Sequence, residues 1–102
     1  MVRSELVQAL SNKLPDLPTR DVELAVNCMI DQMVEGLISG ERIEIRGFGS
    51  YSLRQRPARN ARNPKTSESV PLPAKAVVHF KPGKEMRDRI DASKAKYQIQ
   101  KL

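Results

Sequence analysis

Apolar residues recur every four positions near the start of the chain, at Leu6, Leu10 and Leu14. This spacing predicts a short amphipathic helix. Ser4 is its expected N-cap, because a hydroxyl oxygen there accepts a backbone N–H. Pro15 marks its expected end, because proline disfavours a helical conformation in the residue before it.

A longer apolar run with helical spacing follows. It predicts a second helix with Thr19 as its N-cap and Gly40 as its C-terminal stop. One short helix cannot cover so wide a stripe, so we expect residues 1–40 to form a helical pair with apolar surface left for a second subunit. The alternative is a helical pair that covers a sheet, and such a pair can also leave apolar surface for a second subunit. The stripe consists of Val22, Ala25, Val26, Met29, Ile30, Met33, Val34, Leu37 and Ile38.

Past the second helix the hydrophobic period changes to two. Ile43 and Ile45 alternate with charged residues, which predicts a half-buried strand. The sequence Gly47-Phe48-Gly49 predicts a sharp bend with Phe48 turned inward, and a second strand then continues through Leu53.

The next segment keeps a strand-like pattern but loses its apolar face. Residues 54–76 are therefore predicted to form a two-stranded arm that outgrows the body of the domain, with Val70 and Leu72 on the return strand. Pro71 and Pro73 fit an edge strand, because residues two apart direct their backbone groups to the same side and both missing N–H donors can face outward.

The chain then returns to the body through Phe80, and Pro82-Gly83 introduces a final helix with Met86 and Ile90 as its inward residues. Residues 92–102 form a tail without a sustained period. We expect one α+β domain over residues 1–102: a helical base (1–40), a three-stranded antiparallel sheet with a protruding β-ribbon arm (41–80, arm 54–76), and a short C-terminal helix (81–91).

Charge is distributed unevenly along this pattern. Residues 1–45 carry four basic and eight acidic groups, a net charge of −4, whereas residues 46–102 carry fourteen and four, a net charge of +10. Such asymmetry favours a cationic surface that binds a polyanion, and a basic face that only confers solubility is the alternative. The core of a 102-residue chain is small, so a dimer is expected.

The arm concentrates this charge. Between Arg46 and Lys65 there is no Asp or Glu, and five of the six basic groups are Arg. Arginine suits the narrow, electronegative minor groove of DNA. Pro64 lies near the arm tip, where a rigid apolar ring can act as a wedge between bases. The six groups are Arg46, Arg54, Arg56, Arg59, Arg62 and Lys65.

Few residues are candidates for catalysis or metal binding. His79 is the only histidine, and we interpret it as structural or phosphate-facing. Cys28 is interpreted as a small core residue. We therefore expect no enzyme, cofactor, metal or small-molecule substrate. No apolar run is long enough for a signal peptide or membrane span, so a cytoplasmic protein is expected.

Three ordered motifs make the function more specific. Residues 42–53 (RIEIRGFGSYSL), 62–66 (RNPKT) and 80–84 (FKPGK) resemble the HU and integration host factor family of bacterial DNA-bending proteins. The branch they resemble most is the beta-type subunit of integration host factor. The resemblance covers about residues 1 to 91.

The resemblance implies an intertwined dimer that wraps DNA with two β arms, in the cytoplasm on the bacterial nucleoid. This family is itself a known example of minor-groove bending by an inserted apolar residue, and the matching wedge is Pro64. Expected processes are recombination, transcription, translation regulation and nucleoid organisation. The expected partners are double-stranded DNA and an alpha-type subunit, and an HU-like homodimer that coats DNA without preference is the alternative. A module for RNA, an acidic protein or an anionic membrane surface is a remoter one.

The same resemblance implies two groups of DNA contacts. Glu44 is expected to orient Arg46 in the minor groove, with an ordinary surface pair of Arg42 and Glu44 as the alternative. The minor-groove and arm group is Glu44, Arg46, Arg54, Arg56, Arg59, Arg62, Asn63 and Lys65. The phosphate group is Arg3, Ser4, Lys75, Lys81 and Lys84, near helix ends whose free N–H groups add to the charge.

Two residues at the arm tip depart from the family pattern. Ala61 and Ser67 occupy positions where the family usually has glycine. If the Ser67 position takes a positive φ, serine has to bear some strain there or the tip has to form a different turn.

Overall fold

The computed structural model describes residues 1–99, and within them the chain forms three helices and five strands. The chain divides after Ser39 into two compact units, a helical unit and a unit that contains the strands and the last helix. This is the predicted α+β arrangement. The elements are α1 (Arg3–Lys13), α2 (Thr19–Ile38), β1 (Ile43–Ile45), β2 (Gly49–Arg56), β3 (Arg59–Arg62), β4 (Ser69–Leu72), β5 (Lys75–Pro82) and α3 (Lys84–Ser93).

The helical unit is held by a small core between α1 and α2. Val7, Val22 and Val26 are its buried residues, and Leu6, Leu10 and Ile30 pack around them. The helices follow the predicted spacing, and α1 ends before Pro15 as expected. Gly40, with φ +83°, lies just past the C-cap of α2, where a left-handed residue commonly ends a helix.

Both predicted N-caps are wrong. Ser4 lies inside α1, whose N-cap is Val2, and the Glu5 carboxylate accepts the Val2 N–H at 3.3 Å. This bond satisfies the N–H of the N-cap residue itself, whereas a capping hydroxyl would have accepted an N–H of the first turn. Thr19 is the first residue of α2, and its hydroxyl pairs with that of Ser11 at 2.9 Å.

Much of the apolar stripe of α2 is exposed. Met29 is 55% exposed and Ile38 is 79% exposed, so α2 presents the apolar surface that its sequence predicted. Cys28 is exposed as well, which overturns its interpretation as a core residue. At 3.6 residues per turn, position 28 lies about 200° around the helix from buried Val26 and therefore on the opposite side.

The second unit contains a three-stranded antiparallel sheet in the order β1-β2-β5. Cross-strand pairing puts Ile43 opposite Tyr51, and Tyr51 opposite Phe80. The Tyr51 and Phe80 rings pack with centroids 4.7 Å apart. Ile45 alternates onto this same apolar face, as the period of two predicted.

The bend between β1 and β2 depends on two glycines. The Phe48 N–H donates to the Ile45 carbonyl at 3.0 Å, and Gly47 takes φ +83° within that turn. A Cβ on Gly49 would lie 2.6 Å from the Lys81 carbonyl oxygen, so only glycine fits there. Phe48 packs against the Phe80 ring with centroids 5.5 Å apart, in line with its predicted inward turn, but it stays 42% exposed in the single chain. Its place in a turn at the end of the sheet leaves one side of the ring uncovered.

The arm is a continuation of the β2–β5 ribbon in one register. Arg56 lies opposite Lys75, and Arg59 lies opposite Leu72, so two residues on each strand separate the proximal ladder from the distal ribbon of β3 and β4. We call this interruption, residues 57–58 and 73–74, the arm break. Pro73 falls within it and outside any strand, contrary to the prediction that it sits in the return strand with Pro71.

Prolines explain the arm break. In this register Pro57 faces position 74 and Pro73 faces position 58, which are consecutive cross-strand pairs. Alternate pairs of an antiparallel ladder exchange hydrogen bonds. One of the two prolines must therefore occupy a bonded position, where its missing N–H interrupts the ladder.

The last helix, α3, begins after Gly83, as expected. Ile90 is 60% exposed, so its predicted inward position is wrong, whereas Met86 is half-buried. A turn follows α3, in which the Lys96 N–H donates to the Ser93 carbonyl at 3.0 Å. The remaining tail positions, 100–102, lie outside the described residues. Across residues 1–99, no helix is both long enough and apolar enough to span a membrane.

Candidate nucleic-acid interface

The sheet has a second face that is mainly polar and positively charged. Glu44 pairs with Ser50, and Ser50 pairs with Lys81, so these three residues form one row across the strands. Side chains two residues apart along each strand share that face. We call it the polar face; it carries Glu44, Ser50, Ser52, Arg54, Arg56, Lys75, Val77, His79 and Lys81.

A basic depression lies at the end of the polar face, where the β1–β2 turn meets the start of α3. The Gly83 N–H donates to the Phe48 carbonyl at 2.9 Å, which ties the turn to the N-terminus of α3. The first-turn N–H groups of a helix lack partners within the helix and favour an anion. The charged groups that line the depression are Arg42, Glu44, Arg46, Lys81, Lys84 and Arg87.

Two of those groups, Arg42 and Arg87, were not among the predicted site residues. Arg42 could have been found from its alternation with Glu44 along the strand. Arg87 could have been found from helical spacing, because it lies three residues after Lys84 on α3. Lys84 is partly neutralised by Asp88, whose Oδ2 lies 3.6 Å from the Lys84 Nζ in an exposed pair.

Glu44 and Arg46 line the depression together but form no ion pair in the part of the chain that the structure describes. Within residues 1–99 the ion pairs join the N-terminal amine to Glu5, Lys84 to Asp88, and Lys94 to Asp91. Glu44 is therefore free to accept hydrogen bonds from Arg46 or from a bound ligand.

The arm tip presents a proline on a hydrogen-bonded turn. The Asn63 N–H donates to the Glu68 carbonyl and the Ser67 N–H donates to the Asn63 carbonyl, both at 2.8 Å. The Asn63 side-chain oxygen accepts the Lys65 N–H at 2.9 Å, bridging Pro64. Asn63 thus holds the turn, while the Pro64 ring is exposed at its end.

Ser67 is strained, as its departure from glycine predicted. Its φ is +61°, and it is the one non-glycine residue with positive φ in the described part of the chain. A left-handed conformation costs an L-residue with a Cβ roughly 1–2 kcal/mol. This tip conformation is therefore kept despite the strain, through the hydrogen bonds around it.

The arm arginines are divided among faces of the ribbon. Arg54 and Arg56 lie on the polar face with Glu44. In the distal ribbon, Arg59 pairs with Leu72 and Arg62 pairs with Ser69, an odd number of residues apart, so these two arginines point to opposite faces. The distal ribbon can thus contact two walls of a groove at once.

The remaining predicted phosphate contacts lie in the helical unit. Arg3 donates from Nη1 to the Asn27 side-chain oxygen at 3.3 Å, which fixes its direction at the start of α1. Ser4 is exposed in the first turn. Among residues 1–99, no group of three or more His, Cys, Asp or Glu side chains is placed to hold a metal ion.

Comparison with known proteins identifies the class. The profile of the family described as "Bacterial DNA-binding protein" matches residues 1–91, so the chain belongs to this family. Among curated relatives, integration host factor subunit beta of Halorhodospira halophila is 58% identical over 94 residues, covering 92% of each chain. The subunit of the same name from Methylococcus capsulatus is also 58% identical over 94 residues, covering 92% of this chain and 99% of the relative.

Solved structures agree with this assignment. A cocrystal structure of Anabaena HU with DNA has a TM-score of 0.80 at 33% identity, covering 88% of this chain and 97% of the other. HU from Thermotoga maritima has a TM-score of 0.61 at 24% identity, covering 88% of this chain and 98% of the other, and supports the fold alone.

Proposed function

We propose that this chain is an architectural protein that binds the minor groove of duplex DNA and bends it by inserting Pro64 between base pairs. It acts without a cofactor and without catalysis. It works in the cytoplasm on the bacterial nucleoid, in recombination, transcription, translation regulation and chromosome organisation. Membership of the bacterial DNA-binding family and the likeness to DNA-bound HU support this function.

One observation carries the mechanism: an exposed proline at the end of a cationic ribbon. The Asn63 side chain accepts the Lys65 N–H and so links the residues on the two sides of Pro64. The conformation of the Pro64 ring is therefore fixed before DNA binds. A preorganised apolar wedge loses little conformational freedom when it enters a base step. The deformation of DNA is then offset by the contacts that wrapping adds.

The other proposed contacts serve two roles. Along the arm, the minor-groove contacts are Arg54, Arg56, Arg59, Arg62, Asn63 and Lys65, and in the basic depression they are Glu44 and Arg46. Phosphates are bound by Arg3, Ser4, Lys75, Lys81 and Lys84. Phosphate contacts fix position and carry no sequence information, whereas the minor-groove contacts read DNA width and A·T against G·C content.

The functional unit is proposed to be an intertwined dimer, with an alpha-type subunit as the partner. The three-residue core of the helical unit and the exposed apolar side chains of α2 support a second subunit. The relatives named integration host factor subunit beta support a paired alpha-type chain over a homodimer. Purifying the chain alone and together with such a partner distinguishes these assemblies. Only the assembly that is competent to bind DNA should form a protein–DNA complex of defined stoichiometry.

The test of the function is duplex binding as a function of salt. If basic side chains neutralise phosphates, log K falls linearly with log salt, with a slope of roughly −0.9 per phosphate neutralised. Binding to duplex DNA should saturate with a defined site length, whereas single-stranded DNA, RNA and acidic vesicles should compete weakly. Salt-independent binding, or competition by any of these three as strong as that by duplex DNA, would contradict the proposal.

A further inference from the structure

The polar face contains one row that the proposed contacts do not use. Ser52 pairs directly with His79 across β2 and β5, one row along from the Ser50 and Lys81 pair. His79 is half-buried and is the single histidine of the chain. The proposed contacts Glu44, Arg54, Arg56, Lys75 and Lys81 share its face and surround it.

The charged surroundings of His79 are mainly cationic. Diagonal neighbours on paired strands lie within about 7–8 Å, which brings Arg54 and Ser50 on β2 close to the imidazole. Lys81 lies two residues along the same strand and Lys75 further along it, Arg56 lies opposite Lys75 on β2, and Arg42 directly precedes β1. Glu44 is the acidic group on this face, and it lies two strands away on β1. Within the described residues, the His79 side chain forms no hydrogen bond or ion pair, so an anion for it has to come from a ligand.

From this placement, and resting on the proposed function, we propose that His79, with Ser52 beside it, contacts a DNA phosphate and takes up a proton on binding, which makes affinity rise as pH falls. Imidazole changes its charge between about pH 5 and pH 8. A phosphate close to the ring favours the charged form, so the bound state holds the proton more tightly than the free state. Thermodynamic linkage then requires tighter DNA binding at lower pH.

The test measures duplex affinity and its salt slope at about pH 6 and about pH 8, using the full chain in its DNA-competent assembly. The wild type should bind at least about tenfold more tightly at the lower pH, the effect of one charge-assisted hydrogen bond. In His79→Gln this dependence should disappear, and at the lower pH the salt slope should be smaller in magnitude by about 0.9, one phosphate contact. In His79→Lys, high affinity should persist at both pH values, because the cation is then permanent.

A matched control is available on the same strand as Ser52. Gln55 is exposed and lies on the opposite face of β2, so Gln55→Ala should keep the wild-type pH dependence. If His79→Gln retains the wild-type dependence on pH, this inference is overturned while the proposed function stands. If the wild type binds no duplex at either pH, the proposed function fails and this inference fails with it.

Discussion

Ser67 shows how a single backbone angle can limit the stability of the arm tip. Its φ of +61° lies where a Cβ is crowded, yet its N–H donates to the Asn63 carbonyl and closes the turn that carries Pro64. The strain, roughly 1–2 kcal/mol, is comparable with the net contribution of one or two hydrogen bonds, about 0.5–1.5 kcal/mol each. The strain at Ser67 therefore offsets part of the stabilisation that these hydrogen bonds give the tip.

We expect Ser67→Gly to close the tip, because glycine adopts this conformation without crowding. Hydrogen exchange at the Asn63 amide, which donates to the Glu68 carbonyl, should slow by up to about tenfold, equivalent to about 1.4 kcal/mol. Ser69→Gly is the matched control, since Ser69 lies in β4, where glycine weakens a strand. In Ser69→Gly, hydrogen exchange at the Asn63 amide should become faster. Equal shifts in the two variants would show that Ser67 is not strained.

At the scale of elements, the arm break divides the arm into two hydrogen-bonded ribbons. The ladder of β2 and β5 ends at the pair Arg56 and Lys75, and the β3–β4 ribbon begins at Arg59 and Leu72. Because two-stranded ribbons are marginal in water, we expect the free arm to be the first region cut by a protease and to be protected by DNA.

The proline origin of the break can be tested directly. Replacing both Pro57 and Pro73 by Thr restores the missing N–H at whichever pair is bonded, and Thr favours extended conformations. Cleavage of the free arm by a nonspecific protease should slow several-fold, the effect of about one added hydrogen bond. An unchanged cleavage rate would mean that the prolines do not cause the break.

The sequence pattern predicted some features of these elements and could not predict others. Alternation predicted the strands, the loss of the apolar face predicted the arm, and the strain at Ser67 followed from local chemistry. The break was not predictable, because it depends on which residues of two distant strands face each other. The burial of Cys28 and Ile90 was misjudged, because periodicity identifies an apolar face without showing whether a neighbour covers it.

For the whole molecule, the apolar surface that remains exposed fits a dimer. Ile38 on α2 is 79% exposed and Val78 on β5 is 55% exposed, so both units present uncovered apolar side chains. Burying them against a second subunit contributes about 25 cal/mol per Å² of apolar area. Such a dimer presents two arms, so the wedge proposed for Pro64 would act at two places on one duplex.

The most direct test of the account is the bend itself. Fluorescence transfer between the ends of a short duplex should rise when the wild-type assembly binds, because bending brings the ends together. Pro64→Ala should lose most of that rise, whereas Pro71→Ala, the same change on an arm strand away from the tip, should keep it. If Pro64→Ala bends DNA as far as the wild type does, Pro64 is not the wedge and the central claim is wrong.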